Sequence, residues 1–236
     1  MRVFAISDLH ISSNQEKPMD IFGDNWKDHL LKIEKNWLSK ILPDDVVLIP
    51  GDISWAKSLE DAKIDLMFFD KLPGKKIIIK GNHDYWWNSY AKVKSILPSG
   101  MFAIQNNAIK IENKIFCGTR GWQVPEVGEK LSENDEKILK REEIRLELSL
   151  SKAAKLREQE EKIFVLMHYP PFNSIRQSSK FTSLLKKYEV YAVVYGHLHG
   201  TVSLTNQVIK KDEISYFLVS TDMINHDPVL IDNCLL

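Results

Sequence analysis

Short apolar runs separated by amphipathic stretches set the rhythm of this chain. Val3 to Ile6, Val46 to Ile49, Ile77 to Ile79, Ile163 to Met167 and Val190 to Tyr195 are continuously apolar. Alternation would mark a strand with one wet face, so continuous runs predict strands covered on both sides. Between them, Trp26, Leu30, Ile33, Trp37 and Ile41 recur at three- and four-residue steps, and Pro43 closes that helical stripe. Leu59, Ala62, Leu66 and Phe69 form a second stripe ending near Pro73-Gly74, and Ser89 to Leu97 reads as a short third helix before Pro98. Strand, helix, strand, helix, strand predicts an α/β fold with a parallel sheet and crossover helices.

The middle of the chain changes character. Ala108 to Ile111 and Ile115 to Thr119 flank Glu112-Asn113-Lys114, the pattern of a hairpin. Ser132 to about Lys162 is charged, with Leu139, Leu146, Leu150 and Ala153 at helical spacing and Asp135 placed to complete a cap at Ser132. A solvated helix held by one narrow apolar stripe fits this best; a dimerisation or cap helix is the alternative. Thr201 to Leu204, Ile214 to Ser220 and Val229 to Ile231 read as antiparallel strands of a second sheet. No linker, repeat or composition shift divides the chain, so a single domain over residues 1–236 is expected.

Composition removes several function classes. Lys plus Arg and Asp plus Glu are 32 each, so the formal net charge is zero and a dedicated nucleic-acid binder is not indicated. No run approaches a membrane span, and Met1 leads into Val3-Phe4-Ala5-Ile6 without the regions of a signal peptide. Cys117 and Cys234 are too few for a disulfide framework. A cytoplasmic protein acting on a small molecule, with no membrane partner, is the expectation.

The chemistry lies where the apolar runs end. Asp8 and His10 follow the first, Asp52 the second, Asn82, His83 and Asp84 the third, His168 the fourth, and His197 and His199 the fifth. In open α/β sheets the carboxyl ends of strands converge on one crevice. Imidazole with carboxylate is the donor set of a transition metal. One ion needs three or four protein ligands; this surplus suits two ions sharing a carboxylate. The glycines before Asp52, Asn82 and His197 permit tight turns and close backbone approach. Each motif alone is weak, since Gly-Asp usually marks a turn. The ordered set, each member after its own strand, is specific.

Asp8-x-His10, Gly51-Asp52, Gly81-Asn82-His83-Asp84, His168 and Gly196-His197-x-His199 resemble the motifs of the calcineurin-like metallophosphoesterases, in wording closest to a bacterial predicted phosphohydrolase branch. The resemblance implies a four-layer α/β/β/α sandwich of two mixed sheets flanked by helices, with a di-metal site at the carboxyl edge of the strands. It implies that Asp8, His10, Asp52 and His199 bind one ion, and that Asp52, Asn82, His168 and His197 bind the other, the metals being Mn, Fe or Zn. A hydroxide bridging them would attack a phosphate mono- or diester in line. His83 would protonate the leaving oxygen or stabilise its charge, and Asp84 would orient His83 by hydrogen bonding. Gly51-Asp52 continues as Ile53-Ser54-Trp55-Ala56, without the Arg of the Ser/Thr protein phosphatases, and Asp84 stands where they have Glu, so a protein phosphatase is not expected.

Other residues keep two readings. Trp55, Tyr85, Trp86 and Trp87 read as the packed apolar start of the next helix, with base stacking the alternative. Arg120, leaving a strand beside Gly121, could clamp a substrate phosphate or be solvated. His29 and His226 read as ordinary loop or surface residues, His226 being the better outside candidate for the site. A metal-binding scaffold without activity remains the competing function, although His83 is the residue such a scaffold would lose. An amidohydrolase barrel or β-lactamase-like hydrolase would place His-x-His early, whereas here it comes last.

Overall fold

A computed structural model describes residues 1–13, 18–200 and 207–232. Two sheets lie face to face. The first runs in the order β11 (Val229–Leu230), β1 (Val3–Ala5), β2 (Val46–Ile49), β3 (Lys75–Ile78) and β4 (Met101–Ala103). Strands β1 to β4 are parallel, and β11 pairs antiparallel with β1 through Phe4–Leu230. The second sheet has the order β5 (Ala108–Ile111), β6 (Lys114–Thr119), β7 (Lys162–Met167), β8 (Ala192–Tyr195), β10 (Ile214–Leu218) and β9 (Val208–Lys211).

Among the described residues, α1 (His29–Lys40), α2 (Leu59–Leu66), α3 (Tyr90–Ile96), α4 (Glu133–Leu156) and α5 (Lys180–Lys187) cover the outer faces. Phe116, Phe164, Val194 and Phe217 of the second sheet share one core with Val3, Leu48 and Ile77 of the first, and with Ile33, Trp37 and Leu66 of α1 and α2. The alternate residues Ile115, Val165, Val193 and Tyr216 turn to the other face and pack on Leu146, Leu150 and Leu185 of α4 and α5. The continuous apolar runs are explained, because both faces of these central strands are dry. The four-layer α/β/β/α arrangement is the one expected.

Four expectations change, and a fifth falls outside the described residues. Val229–Leu230 belongs to the first sheet, and β10 runs parallel to β8 while pairing antiparallel with β9. The predicted strand Thr201 to Leu204 lies outside the described residues. Trp26 precedes α1 in a 3-10 turn, so the first stripe spans two elements. Helix α4 ends at Leu156, capped by Ser132, whose Oγ accepts a hydrogen bond from the Asp135 N–H at 3.1 Å. The stripe of α4 is indeed narrow, but it also buries Glu142 and Ser149.

Candidate metal centre

The carboxyl ends of β1, β2, β3, β7 and β8 meet at one edge, where the two sheets are also sewn together. The Ser7 N–H donates to the Val219 carbonyl at 2.8 Å, and the Thr221 N–H donates to the Ser7 carbonyl at 3.0 Å. Neighbouring loops are laced in the same way: Asp8 N–H to Gly51 O and His10 N–H to Asp52 O, both at 3.1 Å, and Gly196 N–H to His168 O, also at 3.1 Å. Residues Asp8, His10, Asp52 and His197 have positive φ values of 58°, 49°, 51° and 70°. Asp and His accept the left-handed region more readily than most residues. Each such residue costs about 1–3 kcal/mol, which the surrounding ladder offsets. Gly51, at φ 94°, shows why no side chain stands before Asp52: a Cβ there would lie 2.7 Å from the Gly81 backbone.

These turns bring together all seven residues expected as ligands. Asp8, His10 and His199 place ligand atoms within 4.8 Å of one another, and so do Asp8, Asp52 and His168. Asp8, expected in one group, therefore stands in both. The Asp52 carboxylate lies between the imidazoles: its Oδ2 is 3.9 Å from His10 Nε2, 3.5 Å from His168 Nε2 and 4.0 Å from His83 Nε2. The Asn82 amide oxygen faces His168 Nε2 at 2.6 Å and His197 Nδ1 at 2.9 Å.

This donor set fits a divalent cation. His168 Nδ1 meets the Pro50 carbonyl at 3.0 Å, which can only accept, so the neutral ring turns its Nε2 lone pair toward the Asn82 oxygen. With the Asn82 amide in this orientation, a positive charge between or beside the two acceptors would relieve their contact. His10 Nδ1 is buried and has no hydrogen-bond partner among the described residues. Burial pushes His10 down to about 3 and His168 to about 4, so both rings are neutral at physiological pH, the form in which an imidazole can hold a metal. Burial, with the charges of Asp8 and Asp84, pushes Asp52 up to about 9. Three carboxylates crowd together, and a cation is the natural counter-charge. Burial opposes the charge on Asp8, but its hydrogen bond to His199 and the nearby imidazoles hold it well below the usual carboxylate range.

Asp222 was not anticipated. Its Oδ1 accepts from His199 Nδ1 at 2.8 Å and its Oδ2 from the Gly200 N–H at 2.9 Å. Nε2 of His199 is thereby directed to Asp8, 3.2 Å away. Carboxylate, imidazole and metal in sequence is the arrangement that fixes a ligand's tautomer. Although burial works against it, the bonds to Asp222 and Asp8 push His199 up to about 10. The signal was present: Asp222 follows the predicted strand Ile214 to Ser220, as the other ligands follow theirs.

Asp84 has a different partner from the one expected. Its fully buried carboxylate accepts hydrogen bonds at Oδ2 from Asp52 N–H at 2.9 Å and Gly81 N–H at 2.7 Å. At Oδ1 it accepts from Ile53 N–H, Ser54 N–H and Trp86 Nε1–H at 2.9, 3.2 and 3.1 Å. Asp84 therefore ties the Asp52 loop to the Asn82 loop; steering the His83 ring is not its visible task. His83 donates its backbone N–H to Asp52 Oδ1 at 2.8 Å and holds its ring half-exposed at the mouth, with the Tyr85 hydroxyl 3.5 Å from Nδ1.

Arg120 turns away from the ligands. Its guanidinium lies over the Trp122 ring at 4.6 Å and 3.8 Å from the buried Glu142, in a cavity of about 250 Å³ that Lys80, Arg141 and Arg145 also line. Its backbone carbonyl instead accepts from the His168 and Tyr169 N–H groups, both at 3.0 Å. Trp86 and Trp87 are core residues, as the packed reading holds. Trp55 stacks on His10 with centroids 4.8 Å apart and tilts against His83 at 4.5 Å. His29 and His226 are buried, not superficial: His29 Nε2 meets the Leu9 carbonyl at 2.9 Å and His226 Nε2 the Asn25 carbonyl at 2.8 Å. Both back Trp26, whose ring lies 6.0 Å from His10 and 5.7 Å from His199.

Comparisons with known proteins agree with this fold. The family profile described as "Calcineurin-like phosphoesterase" matches residues 1–201. A "Probable cyclic nucleotide phosphodiesterase" of Vesicomyosocius okutanii is 27% identical over 217 residues, 87% of this chain and 81% of that protein. The "Gene 66 protein" of Mycobacterium phage L5 is 36% identical over 78 residues, 33% of this chain and 37% of that protein. Among solved structures, TT1561 of Thermus thermophilus covers 98% of each chain with a TM-score of 0.59 at 12% identity, a likeness of fold.

Proposed function

Since the chain belongs to the calcineurin-like phosphoesterases, we propose that it hydrolyses a phosphate mono- or diester with two divalent transition-metal ions held by Asp8, His10, Asp52, Asn82, His168, His197 and His199. Asp52 would serve both ions, and Asp8 stands in both donor groups. Such cations supply a water of lowered pKa and a positive clamp on the phosphoryl oxygens. The chain's own residues do the rest. Asp84 holds the Asp52 and Asn82 loops at fixed separation through its hydrogen bonds. Asp222 and the Asp8 side chain hold His199 between them. His83 gives a proton to the leaving oxygen. One observation carries this reading: seven donors converge at one strand edge, with Asp8, His10, Asp52 and His168 buried, while the eighth group, His83, stands at their mouth with its ring outside both ligand groups.

Arg120 has no part in phosphate binding on this reading, because its guanidinium lies over Trp122 and beside Glu142, lining a separate cavity. The reading includes a cytoplasmic, single-domain protein with a small phosphorylated substrate. Among the described residues no helix is long and apolar enough to cross a membrane. The test is hydrolysis of nitrophenyl phosphate, its bis-ester and a cyclic nucleotide after chelation, with Mn, Fe or Zn restored singly. Activity lost on chelation and regained with a metal supports the proposal. Metal binding without turnover of any ester would favour the inactive scaffold.

A further inference from the structure

Beside His197 a cavity of about 500 Å³ opens between the loops that follow β6 and β7. Its walls are largely apolar: Val124, Tyr169, Phe172 and Leu198, with Tyr195 in the lining. Tyr169 lies against the His197 ring, centroids 4.0 Å apart, so the cavity is continuous with the candidate metal centre. The two loops are already tied. The Ser174 N–H and hydroxyl donate to the Glu126 carboxylate at 2.8 and 2.7 Å, and Asn173 Nδ2 donates to the Pro125 carbonyl at 3.3 Å. Those polar groups are engaged in holding the walls, and the cavity is preformed.

Two polar groups are not engaged in this way. The Tyr195 hydroxyl is buried and has no hydrogen-bond partner among the described residues. Native proteins rarely leave such a group unpaired, because it forfeits its bonds to water. The other is Arg176, held at φ 60° on the lining, for whose guanidinium no hydrogen bond or ion pair is found among the described residues. Ile175 and Val127, on the same two loops, are 63% and 69% exposed and add apolar surface there.

Building on the phosphoesterase reading, we infer that this cavity receives the organic half of the substrate, a planar aromatic or heteroaromatic group with a hydrogen-bond acceptor. Aromatic walls favour a flat ring. The phenol of Tyr195 lacks an acceptor, which a ring nitrogen or carbonyl would supply. A planar cation such as Arg176 suits the electron-rich face of a ring. A saturated acyl chain would fill the volume but use neither group. The ester's phosphorus would then lie on the His197 side and the ring between the β6 and β7 loops.

The test separates ring binding from phosphate chemistry by using unphosphorylated probes on the full chain, free of metal. Quinoline-methanol, naphthalene-methanol and octanol are titrated by calorimetry. The first two differ by one ring nitrogen, and that acceptor should be worth on the order of tenfold in affinity. In Tyr195→Phe the preference should vanish while the melting temperature of the free protein rises, since an unpaired buried hydroxyl is removed. A merely structural Tyr195 would not link these two changes. Val124→Trp fills the cavity. It should abolish binding of both rings and lower kcat/KM for a quinolinylmethyl phosphate at least tenfold, leaving methyl phosphate turnover unchanged. Equal affinity for the two rings, tighter binding of octanol, or indifference to both substitutions would overturn the inference. Ring binding that follows this pattern in a protein inactive on every ester would support the pocket and reject the phosphoesterase reading. Activity on esters with no ring preference would do the reverse.

Discussion

Replacing Asp84 by Asn removes one charge and one acceptor from a position where nothing but acceptors will do. Oδ2 receives two backbone N–H groups, and Oδ1 receives two more and the Trp86 indole. Whichever oxygen becomes an amide nitrogen, at least two donors then face a donor. Hydrogen bonds to a charged group are worth about 1.5–3 kcal/mol each, so the loss is about 3–6 kcal/mol before any repulsion is counted. Relief of charge crowding with Asp8 and Asp52 works the other way, but Asp52 already escapes much of it by holding a proton. Set against a typical folding stability of about 5–15 kcal/mol, the net effect is severe. Urea unfolding of the metal-free variant should show a midpoint lower by at least about 1 M, taking a slope of about 1–3 kcal/mol per molar. The purified variant should also hold less metal, since the Asp52 and Asn82 loops lose their tie. If Asp84→Asn kept the wild-type midpoint and metal content and lowered only kcat, the carboxylate would be orienting His83 after all, and the anchoring role drawn from its five bonds would be wrong.

His83→Ala should retain wild-type metal content and lose roughly 10²–10⁴-fold in kcat on an alkyl ester, with a smaller loss on a nitrophenyl ester that needs little protonation; metal analysis beside both rates decides. Asp52→Ala should lose metal and activity for either leaving group. Gly196→Ala would drive a Cβ into the Asp8 carboxylate and the Ser7 side chain, so circular dichroism should report a fold that survives while calorimetry reports weaker metal binding. In the metal-free protein Asp52 and His199, pushed up to about 9 and 10, hold protons that a cation must displace, so metal affinity should rise with pH from 7 to 9 and binding should release close to two protons, read by calorimetry in buffers of different ionisation heat.

The sheet edge was readable because each ligand directly follows an apolar run, and dry strands with polar tips leave little freedom in where those tips meet. The same logic reaches Asp222 once Ile214 to Ser220 is treated as a strand like the others. What could not be read is pairing that depends on tertiary approach. Val229–Leu230 is too short to announce its sheet, and its place beside β1 rests on the antiparallel ladder through Leu230 and Phe4. Glu142 looks like one acid among many on a solvated helix, yet it is buried because Thr119 Oγ1 and Arg145 donate to it, both at 2.6 Å. That buried carboxylate is also what draws Arg120 away from the metal side, a competition invisible in Thr119-Arg120-Gly121. Nor does Gly-Asn-His-Asp reveal that its last carboxylate serves the chain behind it.

The charge arrangement sets one last expectation, the pH profile of the metal-free fold. Four strongly shifted groups shape it between pH 5 and 9, with His197, also pushed down by burial, adding to the imidazole side and Asp84, pushed up by burial, to the carboxyl side. His10 and His168, pushed down to about 3 and 4, refuse the protons that the unfolded chain accepts near 6.5. Between those values the unfolded state binds two protons more, so these rings make stability rise with pH. Asp52, pushed up to about 9, keeps in the folded state a proton that the unfolded chain releases near 3.8, which makes stability fall with pH across that window. Below 6.5 the two rings outweigh the one carboxyl, and the net slope is upward. Above 6.5 the rings fall silent, and His199, holding its proton to about 10, joins Asp52 in a downward slope. The metal-free protein should therefore be most stable near pH 6.5 and lose stability on either side. Saturating metal reverses the alkaline limb, because the cation replaces the protons that Asp52 and His199 would otherwise have to keep. Urea midpoints from pH 5 to 9, with and without chelator, measure both limbs. Alkaline stability that is the same in the two series would mean that these carboxylates and imidazoles do not share a cation.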